Sequence, residues 1–378
     1  FNTEGEEWKR NRRLGAPAFN ENNSAAMVPD MSKEAFKLVR QLRSFSRDGR
    51  IVWSPAEWLP LCTLDTLCVT NFGKEYNFLQ YDGASIVRRP GGIREAIVDT
   101  MTGTGFAVQL RSFPCMARDR FPWNLNPMIR KLHSGVKRLN TMCDEIITSR
   151  QAELEAGRRV ERRDLLDKLL HLDQQSLRGN LVTFLLAGGD TIAVTISWCL
   201  YLLSLNSHIQ TKARAKVDVL GHDPKTMEDL SKLAYVECCI LETLRLQPAG
   251  PFLTNECIRD TFLDGKPILS GTIVITLLRK AMTTQSQGGT TFKLERWLSP
   301  NGCAVDRSLV SEHLAFGGGP RQCPGQSMAI KEATITLTLL LRYFDSIRLS
   351  HSSTNVRGGA TFVYKPENLE LEMSQRTF

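Results

Sequence analysis

Residues 181–205 constrain the fold more than any other stretch, because Asp190 is the only charged residue among them. By length alone this stretch could span a membrane. Asp190 argues against that, since a carboxylate near the centre of a spanning helix costs roughly 2.5–3.5 kcal/mol. A helix that is apolar on all sides is otherwise buried in the core of a large protein. The sequence therefore predicts a core helix, with the small residues Gly188 and Gly189 beside the charge.

A glycine-rich loop near the end of the chain, residues 316–325, carries a cysteine and an arginine. Three consecutive glycines permit positive φ angles and a close approach to another group. Arg321 and Cys323 are two residues apart, so we expect them on one side of an extended segment. Pro324 suits the first position of the helix predicted over residues 328–341. The dipole and free N–H groups of that helix favour a Cys323 thiolate, which suggests an anionic cofactor carrying a metal.

Five positions of this loop match the haem-binding signature of the cytochrome P450 family, Phe-x-x-Gly-x-Arg-x-Cys-x-Gly. They are Phe316, Gly319, Arg321, Cys323 and Gly325. The resemblance implies that all five contact haem, that Cys323 is the axial ligand of the iron, and that Arg321 pairs with a haem propionate. Thiolate ligation in this family favours cleavage of the O–O bond. The alternative is a buried cysteine on a glycine turn.

The centre of the apolar stretch resembles the Ala-Gly-x-Asp-Thr segment of the same family. It reads Ala187-Gly188-Gly189-Asp190-Thr191. The resemblance implies that Gly188 leaves space for dioxygen where the helix crosses the haem, and that Thr191 and Asp190 deliver protons to the distal oxygen atom. The alternative is a capping pair that interrupts a core helix.

A helix predicted over residues 5–13 places Trp8 and Arg12, four residues apart, on one face. The pair resembles the family's Trp-x-x-x-Arg helix, whose two residues reach a haem propionate.

Glu242 and Arg245 lie three apart in a helix predicted over residues 230–247. An exposed pair of this kind contributes little to stability. The pair nevertheless resembles the family's Glu-x-x-Arg, which implies a buried structural network of Glu242, Arg245 and Arg296 supporting the cysteine loop. The sequence departs from the family at Leu294, where a proline is usual, and at residues 283–289, a low-complexity loop in place of an aromatic-rich segment.

Apolar spacing predicts further helices over residues 31–45, 59–72, 128–146 and 209–220. Residues 81–127 are rich in glycine and proline without a clean period, and correspond to the mobile substrate roof of the family. Four arginines are predicted to form a solvated face, Arg158, Arg159, Arg162 and Arg163.

Composition bounds the remaining choices. The 378 residues are 42% hydrophobic and 23% charged, as in a soluble globular chain. The ten cysteines form no C-x-x-C pair, so neither a zinc site nor a disulfide framework is indicated, and a reducing, cytosol-facing environment follows. A net charge of +8 suggests an acidic partner or an anionic membrane surface. The basic residues are scattered, which argues against nucleic acid.

The resemblance covers residues 1 to about 371. It implies a mainly α cytochrome P450 fold with small β-sheets, a single domain over residues 1–378, and haem between the apolar helix and the cysteine loop. Because no initiator methionine, leader or apolar anchor precedes Phe1, the chain is expected to be shortened at its N-terminus relative to the family.

The implied activity is that of a haem-thiolate monooxygenase. Haem b would insert one atom of O2 into a lipophilic small molecule, with electrons from NADPH arriving through a flavoprotein reductase docked on a basic face. Residues 4–10 and 197–203 resemble plant and algal fatty-acid ω-hydroxylases. The full-length form is expected to be anchored in the endoplasmic reticulum membrane, facing the cytosol.

Two alternatives to a monooxygenase stay open. The first is a haem-thiolate isomerase or dehydratase acting on peroxides, against which the intact Asp190-Thr191 pair argues. The second is a non-catalytic remnant that no longer holds haem.

Overall fold

The structure is a computed structural model that describes residues 4–79, 92–110, 126–157, 164–285, 288–353, 355–360 and 363–377. The arginine cluster predicted to be solvated, which begins at Arg158, lies outside these residues.

Helices dominate the described chain. They are α1 Gly5–Gly15, α2 Glu21–Ala26, α3 Val28–Ser44, α4 Pro55–Phe72, α5 Ile93–Leu110, α6 Pro127–Glu155, α7 Leu165–Leu169, α8 Gln174–Leu205, α9 Ser207–Leu220, α10 Met227–Lys232, α11 Ala234–Leu246, α12 Leu278–Met282, α13 Arg307–Ser311 and α14 Gln326–Tyr343. Seven of them, α1, α3, α4, α6, α8, α9 and α14, confirm helices predicted from apolar spacing, with the ends displaced by a few residues or, for α6 and α8, extended by two turns.

One helix was not predicted, and one prediction about a helix is wrong. The region rich in glycine and proline contains α5, whose Ala96, Ile97 and Met101 are buried against α6. The single helix predicted over residues 230–247 is two helices, α10 and α11, separated at Leu233. A capping box between Thr226 and Asp229 starts the first of them and favours a separate short helix.

The apolar stretch forms the C-terminal part of α8, which begins after the capping residue Asp173. The helix runs without a break through both glycines, so they and Asp190 do not cap a new helix. Among the described helices, α8 is the one long and apolar enough to cross a membrane. It packs against α4, α11 and α14, and most of its residues from Ile192 to Leu203 are buried. This packing confirms the prediction of a core helix.

The glycine pair allows α4 and α8 to approach closely. A Cβ atom on Gly188 would lie 2.8 Å from Leu67 Cδ1 on α4. The Thr63 hydroxyl donates a hydrogen bond of 3.0 Å to the Gly189 carbonyl across the same contact. Small residues at this point therefore have a packing role as well as the role implied by the family resemblance.

The strands are short and antiparallel. They are β1 Arg50–Trp53, β2 Leu253–Glu256, β3 Thr261–Leu263, β4 Lys266–Ile268, β5 Ile273–Thr276, β6 Phe344–Leu349, β7 Arg357–Ala360, β8 Tyr364–Glu367 and β9 Leu371–Gln375. One sheet has the order β1-β9-β6, with Trp53 opposite Leu371 and Ile347 opposite Met373. The other strands pair as β2 with β5, β3 with β4, and β7 with β8. Small sheets at the edge of a helical core agree with the predicted fold class.

Candidate active site

The cysteine loop is closed by its own backbone. The Cys323 N–H donates to the Phe316 carbonyl over 2.9 Å, and the chain turns through Gly317 and Gly319 at φ values of 73° and 69°. These two positive φ angles are the conformations that glycine adopts without strain. The residues between them and the cysteine, Gly319–Arg321, form a 3-10 turn. Arg321 and Cys323 are therefore not on an extended segment, as the spacing had predicted.

The helix after the loop starts two residues before the predicted residue 328, but after Pro324. It begins at Gln326, with Gly325 as the N-cap residue, so Pro324 is not the first helical residue. Gly325 also lies beside the sulfur, since a Cβ atom there would be 3.9 Å from Cys323 Sγ.

The Cys323 side chain is accessible to solvent at the loop, yet enough protein surrounds it to desolvate the thiol. Two opposing effects therefore act on the pKa of this thiol. Desolvation by the surrounding protein raises its pKa, and this effect is the larger. The Gly325 N–H and the Arg12 guanidinium lower the pKa, but they do not reverse the rise. The start of the helix therefore does stabilise a thiolate, as predicted, but not enough to bring the pKa of Cys323 below its ordinary value. Binding of a metal cation deprotonates such a thiol.

The first helix brings two more predicted residues to the loop. The guanidinium carbon of Arg321 lies 4.6 Å from the centre of the Trp8 ring, a cation–π contact. Arg12, one turn later on α1, is close enough to lower the pKa of Cys323. Four predicted site residues from opposite ends of the chain thus meet. A thiol flanked by two guanidinium groups fits an iron porphyrin, which needs one axial ligand and two cations for its propionates.

Asp190 and Thr191 lie on α8, one residue apart. The Thr191 hydroxyl donates to the Ala187 carbonyl over 2.8 Å, which leaves its lone pairs to accept a further hydrogen bond. Desolvation raises the pKa of Asp190, while Arg94 on α5 and Lys365 on β8 lower it in part. Consecutive side chains on a helix do not face each other. A proton can therefore pass between these two groups only through a bridging water molecule.

The Glu242 network is present and more extensive than predicted. Glu242 is fully buried and accepts five hydrogen bonds, from Arg245 Nε and Nη2, Lys293 N, Arg296 Nε and Trp297 Nε1, at 2.9–3.2 Å. Arg245 also donates to the carbonyls of Met282, Gly289 and Thr291. The segment at residues 283–289 departs from the family sequence, but Gly289 at its end still brings its backbone carbonyl to Arg245.

Leu294 also fits its unusual position. It is fully buried at the start of the 3-10 helix Leu294–Trp297. Trp297, at the end of that turn, donates to Glu242. Sequence reasoning did not assign this indole to the network, although a tryptophan directly after Arg296 was a usable signal.

Sequence reasoning also missed the role of His313. This side chain is 4% exposed, stacks on Trp297, and has both ring nitrogens within hydrogen-bond distance of backbone groups. It is a structural residue with no nitrogen left for a metal.

The fold and the site define a mainly α-helical protein with a cysteine loop suited to haem. A family model described as Cytochrome P450 matches residues 1–373. The chain belongs to the cytochrome P450 family.

Curated relatives agree with this assignment. The chain is 29% identical to Cytochrome P450 4V2 of Pongo abelii over 372 residues, which cover 90% of this chain and 66% of that protein. It is 28% identical to Cytochrome P450 97B2, chloroplastic, of Glycine max, with 94% and 69% covered. It is 29% identical to Self-sufficient cytochrome P450 monooxygenase CYP505E3 of Phanerodontia chrysosporium, with 92% and 32% covered. The chain spans about two thirds of the length of the P450 4V2 relative.

Proposed function

We propose that this protein is a haem-thiolate monooxygenase that inserts one atom of O2 into a lipophilic small molecule. The observation that carries the proposal is the convergence of Cys323 with Arg12 and with the stacked pair of Arg321 and Trp8. Cysteine, arginine and tryptophan meet here because α1 packs beside the loop, and sequence proximity cannot account for it.

Each residue of the proposed haem site has a defined role. Cys323 Sγ is the axial ligand of haem b, and Arg12 and Arg321 neutralise the propionates while Trp8 orients the second guanidinium. Phe316, Gly319 and Gly325 shape the loop, and Gly188 lets α8 pack closely against α4, which sets the position of α8 beside the haem. Haem bound between α8 and the loop supplies the chemistry that activates dioxygen.

The carboxyl group of Asp190 and the hydroxyl group of Thr191, both on α8, support a reaction that inserts oxygen. Because the Thr191 hydrogen is donated to Ala187, its oxygen accepts a hydrogen bond from a water molecule in the site. Asp190 has a raised pKa, so it holds a proton at higher pH than an exposed aspartate and can resupply that water. An isomerase that rearranges peroxides has no need of this delivery, and this observation therefore favours the monooxygenase.

The finer features of the proposal are the substrate, the electron donor and the cellular location. A fatty-acid substrate is inferred from the likeness of residues 4–10 and 197–203 to ω-hydroxylases. Electrons would come from NADPH through a flavoprotein reductase, with its acidic surface on this basic protein. We place the protein at the endoplasmic reticulum membrane, facing the cytosol. The plastid is the second location, since the soybean relative is named chloroplastic. Two further statements stay predictions: that the chain is a single domain, and that it does not bind nucleic acid.

A visible spectrum of the purified chain tests the proposal. The reduced protein exposed to carbon monoxide is expected to show the red-shifted Soret band of a thiolate-ligated haem, and Cys323→Ala should abolish it. Cys303→Ala removes another exposed cysteine and serves as the control, with the band unchanged. A band that survives in Cys323→Ala would overturn the ligand assignment. Failure of the wild-type chain to bind haem would favour the non-catalytic remnant.

A further inference from the structure

His313 lies immediately before the cysteine loop and caps the 3-10 helix Leu314–Phe316. Its Nδ1 is 3.1 Å from the Ala315 backbone nitrogen, and its Nε2 is 3.0 Å from the Leu241 carbonyl oxygen. The ring stacks on the indole of Trp297, with 4.9 Å between the centroids and 24° between the planes. The side chain is therefore held from three directions while it is almost completely buried.

These contacts allow one protonation state. A backbone N–H can only donate and a carbonyl oxygen can only accept. Nδ1 must therefore carry the lone pair that faces Ala315, and Nε2 must carry the hydrogen that faces Leu241. A doubly protonated ring would set its Nδ1–H against the Ala315 N–H and break the cap. The geometry thus requires a neutral imidazole in a single tautomer.

The ring connects two parts of the site. On one side Leu241 precedes Glu242 in α11, and Trp297 donates to the Glu242 carboxylate over 2.9 Å. On the other side the capped turn ends at Phe316, whose carbonyl accepts the hydrogen bond from the Cys323 N–H. A continuous chain of contacts therefore runs from the Glu242 network through His313 to the backbone of Cys323.

We propose that His313 is a positioning residue that couples the Glu242 network to the cysteine loop, and that the loop holds Cys323 in place only while the imidazole is neutral. The inference rests on the proposed function in one respect, namely that Cys323 binds haem iron. The coupling itself concerns contacts within the chain and can be measured without haem.

Acid should therefore loosen the loop. Burial lowers the pKa of His313, with a partly compensating rise from Glu242 and a further lowering from Arg245. The other charged residues on elements packed around the ring and its turn are Glu237 on α11, Glu295 and Arg296 beside Trp297, Arg279 and Lys280 on α12, and Glu312, which precedes His313 in the chain. Glu237 pairs with Arg307, Glu295 with Lys212 and Arg296 with Glu242, and none of the described carboxylates hydrogen-bonds to the imidazole.

The sign of the pH effect follows from linkage. Because the folded pKa lies below the ordinary value of 6.5, the unfolded chain binds the proton first. The contribution of His313 to stability is complete above pH 6.5 and falls as the pH drops from there through the folded pKa.

Two variants test the coupling. His313→Phe keeps a ring for stacking on Trp297 and removes both hydrogen bonds. His313→Asn can still cap Ala315 with its side-chain oxygen but is too short to reach Leu241. The control is His208→Phe on α9, which removes an exposed histidine. The measurements, from about pH 8 to about pH 5, are the fraction of red-shifted band in the reduced carbon-monoxide complex and the thermal midpoint of the haem-free protein.

The wild-type protein and His208→Phe are expected to lose the red-shifted band and thermal stability together as the pH falls below 6.5. His313→Phe should lose at least half of the band at neutral pH and show a flatter profile in acid, and His313→Asn should recover part of the band. A His313→Phe protein with the wild-type band and the wild-type profile would overturn the inference. If neither the wild-type protein nor any variant shows the band, the proposed function fails. The thermal midpoints of the haem-free proteins then still test the coupling. If the midpoint of His313→Phe depends on pH as that of the wild-type protein does, the coupling is rejected.

Discussion

The surroundings of Glu242 and the cysteine loop both follow a family pattern, yet they are built in opposite ways. Every partner of the Glu242 carboxylate belongs to this chain, and the carboxylate is fully buried among them. In the cysteine loop the thiol side chain of Cys323 and the charged side chain of Arg321 are exposed. Folding alone completes the first region, whereas the second presents a thiol and a cation to a group that the chain does not supply.

The difference separates structural residues from binding residues. A buried charge survives only with partners inside the fold, and loss of one partner is costly. An exposed thiol has no such requirement. Substitutions in the two regions should therefore differ in which property they change: stability in the first and ligand binding in the second.

The largest effect on stability is expected at Glu242. Glu242→Ala leaves the buried Arg245 and the half-buried Arg296 without this carboxylate, which costs about 3–5 kcal/mol. We expect little soluble protein, and a large loss of unfolding free energy in denaturant titrations of what remains. Glu228→Ala, which removes an exposed i, i+4 partner of Lys232, is the control and should change stability by less than about 0.5 kcal/mol. Equal stability of the two variants would contradict the structural role of the network.

Cys323→Ala should abolish ligand binding by the thiolate and leave the stability of the protein nearly unchanged. The thiolate band in the reduced carbon-monoxide spectrum disappears, while the unfolding free energy of the haem-free protein changes by less than about 1 kcal/mol, since the side chain is exposed. Denaturant titration of the haem-free variant checks this. A large loss of stability would place Cys323 with the structural residues and remove the contrast between the two regions.

Thr191→Ala should preserve the fold and haem binding, but it should impair the coupling of electron supply to product formation. Without the hydroxyl, reducing equivalents are expected to form hydrogen peroxide instead of product, with product per electron falling by roughly 10²-fold or more. Thr183→Ala is a matched control, because Thr183 lies on the same helix and its hydroxyl makes the same bond, to Gly179. Unchanged coupling in Thr191→Ala, or equal losses in both variants, would reject the proton-delivery role.

A change of opposite sign, a gain in stability, is expected at Glu332 on α14. This carboxyl is 1% exposed, and neither oxygen has a hydrogen bond of good geometry among the described residues. Desolvation raises its pKa well above 4.5, and the Thr66 hydroxyl offsets only part of the rise. Glu332→Gln should therefore raise the unfolding free energy by about 1–3 kcal/mol near neutral pH.

The pH dependence distinguishes this explanation from simple repacking. A raised folded pKa means that ionisation of Glu332 weakens the folded state as the pH climbs above 4.5. The advantage of Glu332→Gln should grow over that range and vanish below it. Denaturant titrations at several pH values measure the difference, with Glu228→Gln as the exposed control. A pH-independent difference would show that Glu332 is not the titrating group.

Several features were predictable because they depend on residue type at short spacing. The burial of α8 follows from its apolar residues, and the glycine turns of the loop follow from Gly317 and Gly319. The Glu242 and Arg245 pair was predictable from its spacing and family pattern. Helix α5 was not predictable, because its apolar face is short and lies in a region whose composition suggests loops.

The sequence by itself determined the family and the core helix, and it predicted Cys323 as the ligand cysteine, since the residues behind each conclusion lie in a contiguous segment. Only the tertiary structure decided that Arg321 stacks on Trp8, that His313 joins two regions, and that the pKa of Cys323 is raised. The physical reason is that desolvation and stacking depend on atoms brought close by folding. Gly325 is two residues from Cys323 in the chain, whereas Arg12, which also lowers the pKa of the thiol, lies on the first helix.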